Sequence, residues 1–111
     1  MSANLQLRQA ADGQWYFNLT AENNQIILTS ETYTTKTAAL NGIESVRANG
    51  AVPERFERRQ SKDGRDYFVL KAANHEIIGT SEMYSSAPAM ENGVQAVMRV
   101  AGPARVVESQ P

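Results

Sequence analysis

The side chains of this 111-residue chain that could do chemistry are few: one histidine, His75, no cysteine, and a polar phrase written twice. That phrase is Thr29-Ser30-Glu31-Thr32-Tyr33, and again Thr80-Ser81-Glu82-Met83-Tyr84. Nucleophilic catalysis needs a serine with a base and an orienting group, which here means His75 approaching Ser81 or Ser85. Acid–base work by Glu31 and Glu82 would require the two carboxylates to converge in a pocket that excludes water. A third use is binding: serine and glutamate just ahead of a helix can hold a small polar ligand with the helix-terminal N–H groups. The same residue types also satisfy those N–H groups on their own, so the Ser30-Glu31-Tyr33 and Ser81-Glu82-Tyr84 loops stand open between a structural and a functional role. A lone histidine without cysteine is poor material for zinc. No catalytic, cofactor-binding or metal-ligating residue is assigned, and no cofactor is expected.

These phrases recur because the chain is a duplication. An offset of 51 aligns Leu5–Ala51 with Phe56–Gly102 and gives 19 identities in 47 positions. A period of this size signals a supersecondary unit that cannot bury its apolar face alone. Each half would bury only about 60% of its unfolded surface, so one domain over residues 1–111 is expected, with repeat one about 5–51 and repeat two about 56–108.

Each copy opens with a short segment, Leu5–Arg8 or Phe56–Arg59, followed by Asp12-Gly13 or Asp63-Gly64, the signature of a type I′ hairpin turn. Strands are expected at Trp15–Thr20 and Asp66–Lys71, where Phe17 and Leu19, like Phe68 and Leu70, share one face at period two. Tyr16 and Tyr67 fall on the other. Third strands follow at Gln25–Ser30 and Glu76–Ser81, carrying β-branched Ile26-Ile27 and Ile77-Ile78. Between the second and third strands, Asn24 and His75 sit at turn tips that tolerate positive φ, which reads His75 as a turn residue.

The period then changes from 2 to 3.6. Thr34 and Ser85 are expected to cap helices over Thr35–Asn49 and Ser86–Val100, with Pro88 in the first turn where its missing N–H costs nothing. Ala39, Ile43 and Val46, matched by Met90, Val94 and Val97, form the apolar stripes. Gly42 and Gly93, each after an asparagine, cost on the order of 1 kcal/mol against alanine, which implies close approach to the sheet or to the twin helix. Helix one is expected to stop on a left-handed Asn49-Gly50. The strand following each helix is expected to join the sheet of the other copy, and Ser109-Gln110-Pro111 to fray.

Composition excludes several classes. Net charge is −1, with Met1–Gly50 at −1 and Ala51–Pro111 at 0. In the densest basic stretch, Arg55, Arg58, Arg59, Lys62 and Arg65 interleave with Glu54, Glu57, Asp63 and Asp66. Phosphate-led binding wants a coherent positive face, so nucleic acid is not expected and the stretch reads as a solvated strand edge. No apolar run is long enough to span a bilayer and the N-terminus lacks an apolar leader, so no membrane is expected and cytoplasmic residence is.

With Asp-Gly, Tyr-Phe, Leu-x-Ala, Ile-Ile, Thr-Ser-Glu-x-Tyr and Asn-Gly in one order twice, the chain resembles the YegP-like family of small bacterial proteins. Tyr67-Phe68-Val69-Leu70-Lys71-Ala72-Ala73-Asn74 carries the likeness well, and coverage runs from about Leu5 to Val107. The resemblance implies an α+β fold: tandem β3-α-β units forming a single antiparallel sheet, two helices on one face, and C-terminal strands exchanged between units. It brings no activity with it. Asn24 and His75 stand where the family pattern has glycine, and Ala87 replaces the lysine matched by Lys36.

The first functional reading is a non-catalytic binding or interaction module, since a sheet with one helical face leaves the other free for Trp15, Tyr16 and Tyr67. Its partner would be a protein or a small polar ligand. The alternative is a small enzyme or a ligand-binding protein that uses the Thr-Ser-Glu-x-Tyr loops. Internal duplication mimics a homodimer, so a monomer with pseudo-two-fold symmetry is expected. Residues 1–50 expressed alone should give no cooperative melting transition as a monomer by circular dichroism, because the shared core would be missing.

Overall fold

A computed structural model describes residues 3–108; the expected fraying of Ser109–Pro111 lies outside them. The strands are β1 (Asn4–Gln9), β2 (Trp15–Thr20), β3 (Ile26–Thr29), β4 (Phe56–Gln60), β5 (Asp66–Lys71), β6 (Ile77–Thr80) and β7 (Arg105–Glu108). Helix α1 (Lys36–Asn49) follows β3 and α2 (Ala87–Val100) follows β6. One sheet of order β4-β5-β6-β3-β2-β1-β7 holds them all. From β4 to β1 that order is palindromic, which is the pseudo-two-fold written in topology.

All four hairpins use one loop. Ala10 N–H donates to Gln14 O and Gly13 N–H to Ala10 O, and the same pair of bonds recurs around Ser61, Ala21 and Ala72. This is a three-residue loop whose last residue is left-handed: Gly13 at φ 88°, Asn24 at 68°, Gly64 at 87° and His75 at 70°. The type I′ expectation is therefore corrected. Asp12 precedes the left-handed residue instead of sharing its conformation, and its carboxylate accepts from Gln14 N–H at 3.0 Å. Asn23 and Asn74 do the same for Gln25 and Glu76. The turn-residue readings of Asn24 and His75 agree with the observed φ.

The helices begin one residue later than expected. Thr35 and Ser86, not Thr34 and Ser85, accept from the N–H groups of Ala38 and Ala89 at 3.0 and 3.2 Å. Gly50 is right-handed at φ −65°, so it is not a left-handed stop. Its lack of a side chain serves packing: a Cβ there would lie 2.6 Å from the Cβ of Ala101, the residue at the end of the twin helix.

Both helices cover the same face of the sheet. Each crosses the repeat boundary, α1 lying over β2, β5 and β6 and α2 over β3 and β5. Phe17, Leu19, Leu5 and Leu7 join Phe68, Leu70, Ile43, Val46, Val94 and Val97 in one buried cluster. Each such side chain contributes about 1.5–3 kcal/mol on burial. Gly42 and Gly93 are close-approach sites, but what approaches is the tyrosine of the repeated phrase. A Cβ on Gly42 would meet the Tyr33 hydroxyl at 2.5 Å and Phe17 at 3.1 Å, and one on Gly93 would meet Tyr84 and Phe68.

The sheet is antiparallel through six strands, while β7 joins β1 in parallel. This corrects the wholly antiparallel sheet. Strand exchange also occurs once, not twice: β7 crosses to repeat one, whereas the segment after α1 makes a 3-10 turn at Pro53–Arg55 and becomes β4, the first strand of its own hairpin. So β4 is an edge, and the interleaved charges of Glu57, Arg58 and Arg59 lie on it, as expected of a blunted edge.

Gly42→Ala should lower the melting temperature despite the better helix propensity, because Tyr33 and Phe17 occupy the space a Cβ needs. Thermal denaturation of the variant beside the parent measures this, and Gly93→Ala should behave alike.

Candidate functional site

The repeated phrase folds back onto its own hairpin. After Thr29 the chain leaves the sheet, and Tyr33 forms an isolated two-bond bridge with Trp15, both N···O distances being 2.7 Å. Ser30 fills the interval: its N–H donates to Phe17 O, its hydroxyl accepts from Phe17 N–H at 2.9 Å and donates to Glu31 O at 2.7 Å. Ser81 repeats this with Phe68 and Glu82. Both serines are buried. Their hydroxyls extend the ladder, which supports the structural role and leaves neither free as a nucleophile.

Departure of the loop opens a cleft. β3 and β6 share one rung, Thr29 opposite Thr80, after which the two chains diverge. The gap beside β6 has a volume of about 760 Å³. The loop of repeat one walls it with Glu31, Thr32 and Tyr33, α1 with Asn41 and Ser45, and the β5–β6 hairpin of repeat two with His75 and Glu76. Ala38, Ala72, Ile77 and Ile78 supply apolar wall. The site thus belongs to neither repeat alone.

Tyr33 is half-buried, its ring stacked on Phe17 at 6.4 Å between centroids and 8° between planes. Burial raises its pKa first, and the negative charges of Glu31 and Glu76 raise it further. Both carboxylates also line the cleft beside this hydroxyl. Tyr84 is raised by burial and by Glu82 alone. At the pseudo-equivalent places of the other half, Asn24, Gln25, Met83 and Ala96 replace His75, Glu76, Thr32 and Ser45.

The structure separates the catalytic pairings considered from sequence. His75 lines the cleft with Glu31, not with Ser81 or Ser85, and Glu82 is absent from the lining. Glu31 and Glu82 are both exposed. Ser45, the serine that does share the cleft with His75, has its hydroxyl bonded to the Asn49 amide at 3.2 Å. Among the described residues no three acidic or histidine side chains are grouped to hold a metal. Trp15 lies on the helical side, packed against the core with Lys36 Nζ 5.8 Å from its ring centre, so it does not populate the free face; Tyr16 and Tyr67 do. Sequence reading missed Asn41, Ser45 and Glu76 as cleft residues. The i, i+4 spacing of Asn41 and Ser45, which sets both on one helix face, was the available signal.

Comparison with known proteins agrees with this architecture. The model of the family described as "Domain of unknown function (DUF1508)" matches twice, over residues 10–57 and 61–108. The chain belongs to that family. A UPF0339 protein of Mannheimia succiniciproducens is 55% identical over 93 residues, covering 84% of this chain and 82% of its own. The UPF0339 protein YegP of Escherichia coli K12 is 47% identical over 97 residues, 87% and 88% of the two chains. The solution structure of E. coli YegP superposes with a TM-score of 0.92 at 43% identity, covering 98% of this chain and 94% of that one. That of a UPF0339 protein from Shewanella oneidensis gives 0.90 at 44%, covering 97% and 92%. The relatives are bacterial, as the sequence resemblance implied. Among the described residues no helix is long and apolar enough to cross a membrane.

Ser30→Ala and Ser81→Ala should each destabilise the fold by about 1–3 kcal/mol, the cost of leaving a buried N–H without its acceptor. Urea denaturation should return similar values for the two, given their matching bonds.

Proposed function

We propose that this protein is a non-catalytic binding module whose cleft takes a small polar ligand bearing an amine. The observation that carries this reading is that Glu31 and Glu76, with Tyr33, line one cleft walled by both repeats. Among the described residues Glu31 has no ion-pair partner, and the Glu76 carboxylate accepts only from the Asn74 side-chain amide at 3.2 Å. Two carboxylates facing one concavity favour an ammonium over an anion, while Asn41, Ser45 and the Tyr33 hydroxyl offer further hydrogen bonds. Apolar walls from Ala38, Ala72 and Ile77 suit a short carbon skeleton, in keeping with sites that are mostly apolar with a few placed polar groups. Commitment of Ser30 and Ser81 to other bonds favours binding over catalysis. The reading includes a cytoplasmic monomer, the duplication supplying within one chain the pairing that a dimer would make.

A nitrogen-15 correlation titration with a panel of small amines, carboxylic acids and neutral polyols tests it. Amines should shift the amides of Glu31–Tyr33, Asn41, Ser45 and Asn74–Ile77. Glu31→Gln combined with Glu76→Gln should weaken the interaction at least about tenfold, or ~1.4 kcal/mol. Equal shifts with acids and polyols, or none with amines, would refute the ligand class.

A further inference from the structure

The uncovered face of the sheet sorts charge in a way that sequence order conceals. Alternation along β4 sends Arg58 to the helical side, where it pairs with Glu91 of α2 at 2.7 Å, and sends Arg59 to the open side opposite Tyr67. On β1 the same alternation sets Arg8 on the open side opposite Tyr16, and β7 sets Arg105 there opposite Asn4. Lys71 lies two residues beyond Val69 on that side. Among the strand residues of this face the one carboxylate is Glu57, which bonds both Arg59 and Lys71. Four cations against one carboxylate give +3 on a protein whose total is −1. Among the described residues Arg8 and Arg105 form no ion pair, and Arg8 Nε is buried with no hydrogen-bond partner.

We propose that this face binds single-stranded nucleic acid, with backbone phosphates on Arg8, Arg59, Lys71 and Arg105 and bases against Tyr16 and Tyr67. Aromatic rings set among cations are the elements of such surfaces: the cations track the backbone and the rings take bases of any sequence. The pseudo-two-fold supplies an arginine–tyrosine pair at each end. Tyr16 and Tyr67 lie three strand steps apart, about 14 Å at ~4.8 Å per step, and are offset by about 14 Å along the strands at ~3.4 Å per residue, a diagonal of about 20 Å that a few nucleotides cover. Charge complementarity alone would also suit an acidic protein segment. The single strand is favoured because each of two tyrosines faces an arginine, which pairs a stacking ring with a phosphate-binding cation at two places on one face. The absence of a coherent basic stretch in the sequence argued against nucleic acid; the pleat creates the coherence by separating Arg58 from Arg59.

Fluorescence anisotropy with labelled oligo-dT and oligo-rU of about 12 nucleotides, a length within the ~4–16 nucleotide range of single-strand sites, tests this on the full chain. Binding should weaken with salt at a log–log slope of about −2 to −3, roughly 0.7 per neutralised phosphate. Arg8→Ala should reduce that slope by about 0.7. Tyr16→Ala or Tyr67→Ala should weaken binding about 5- to 150-fold through lost stacking, while Tyr16→Phe, which keeps the ring and disturbs the fold least, should retain it. Chemical-shift mapping on the parent protein should place the changes at Tyr16, Asn18, Thr29, Tyr67 and Thr80 and spare Asn41 and His75, so this outcome is separable from ligand binding in the cleft. Absence of binding at about 20 mM salt, where phosphate contacts are strongest, would overturn the proposal. So would equal competition by polyglutamate, tighter binding of a duplex of the same length, or shifts confined to the helical side.

Discussion

The two repeats meet within the sheet through one rung, Thr29 opposite Thr80, and the rest of the molecule is arranged around that narrow seam. A single rung could not hold two halves together. Side chains and helices therefore carry the junction: Leu28 of repeat one lies in the space left by Gly79 of repeat two, where a Cβ would be 2.7 Å from it. These two positions are related by the repeat offset, so the pseudo-axis is packed by a large residue against none. Each helix crosses the seam as well, which makes the apolar cluster continuous from Leu5 to Val100. Closing the sheet beyond the seam, β7 adds to β1, and Arg47 of α1 bonds the Ala104 carbonyl at 2.7 Å just before it.

The same seam makes the cleft. Because β3 leaves β6 after one rung, its chain turns back to bridge Trp15, and the hairpin tip of the other repeat is left facing the vacated space. Duplication produces this geometry twice, yet the side chains differ. One cleft has a histidine and a second carboxylate, while the matching positions are amide, thioether and methyl groups. Residues that keep the fold, such as Ser30, Ser81, Tyr33 and Tyr84, are the same in both halves, as are Glu31 and Asn41 with their counterparts; Thr32, Ser45, His75 and Glu76 are what set this cleft apart. His75 holds a left-handed backbone at φ 70°, a conformation that costs a residue with a Cβ more than glycine.

Most strands were legible from residue order, β2 and β5 to the residue, because Phe17 and Leu19, and Phe68 and Leu70, recur at period two between turn signals. Turn type was misread since Asp-Gly suits both a two-residue loop and the last two places of a three-residue one; the hydrogen bonds of Ala10 and Ser61 decide between them. Helix starts slipped by one because Thr34 and Thr35, or Ser85 and Ser86, are chemically equal as caps, and only packing of the apolar stripe selects the register. Trp15 was placed on the wrong side of the sheet, although its spacing from Phe17 put it with the core. The cleft was half-visible. Glu31, Tyr33 and His75 were singled out, but nothing local says that His75 of one copy comes to Glu31 of the other.

Local order alone determined the duplication, the alternation of strands, the apolar stripes of the helices and the left-handed tips at Asn24 and His75, since each rests on contacts within a few residues. Tertiary structure decided which edge takes β7, that β4 stays an edge, that Glu31, Glu76 and His75 share one concavity, and that Arg8, Arg59, Lys71 and Arg105 share one face. The physical reason is the same throughout. Pleat and helix periods assign a side chain to a face of its own element, but which faces meet depends on how two marginal halves bury their apolar surface against each other, a choice made by the whole chain at once.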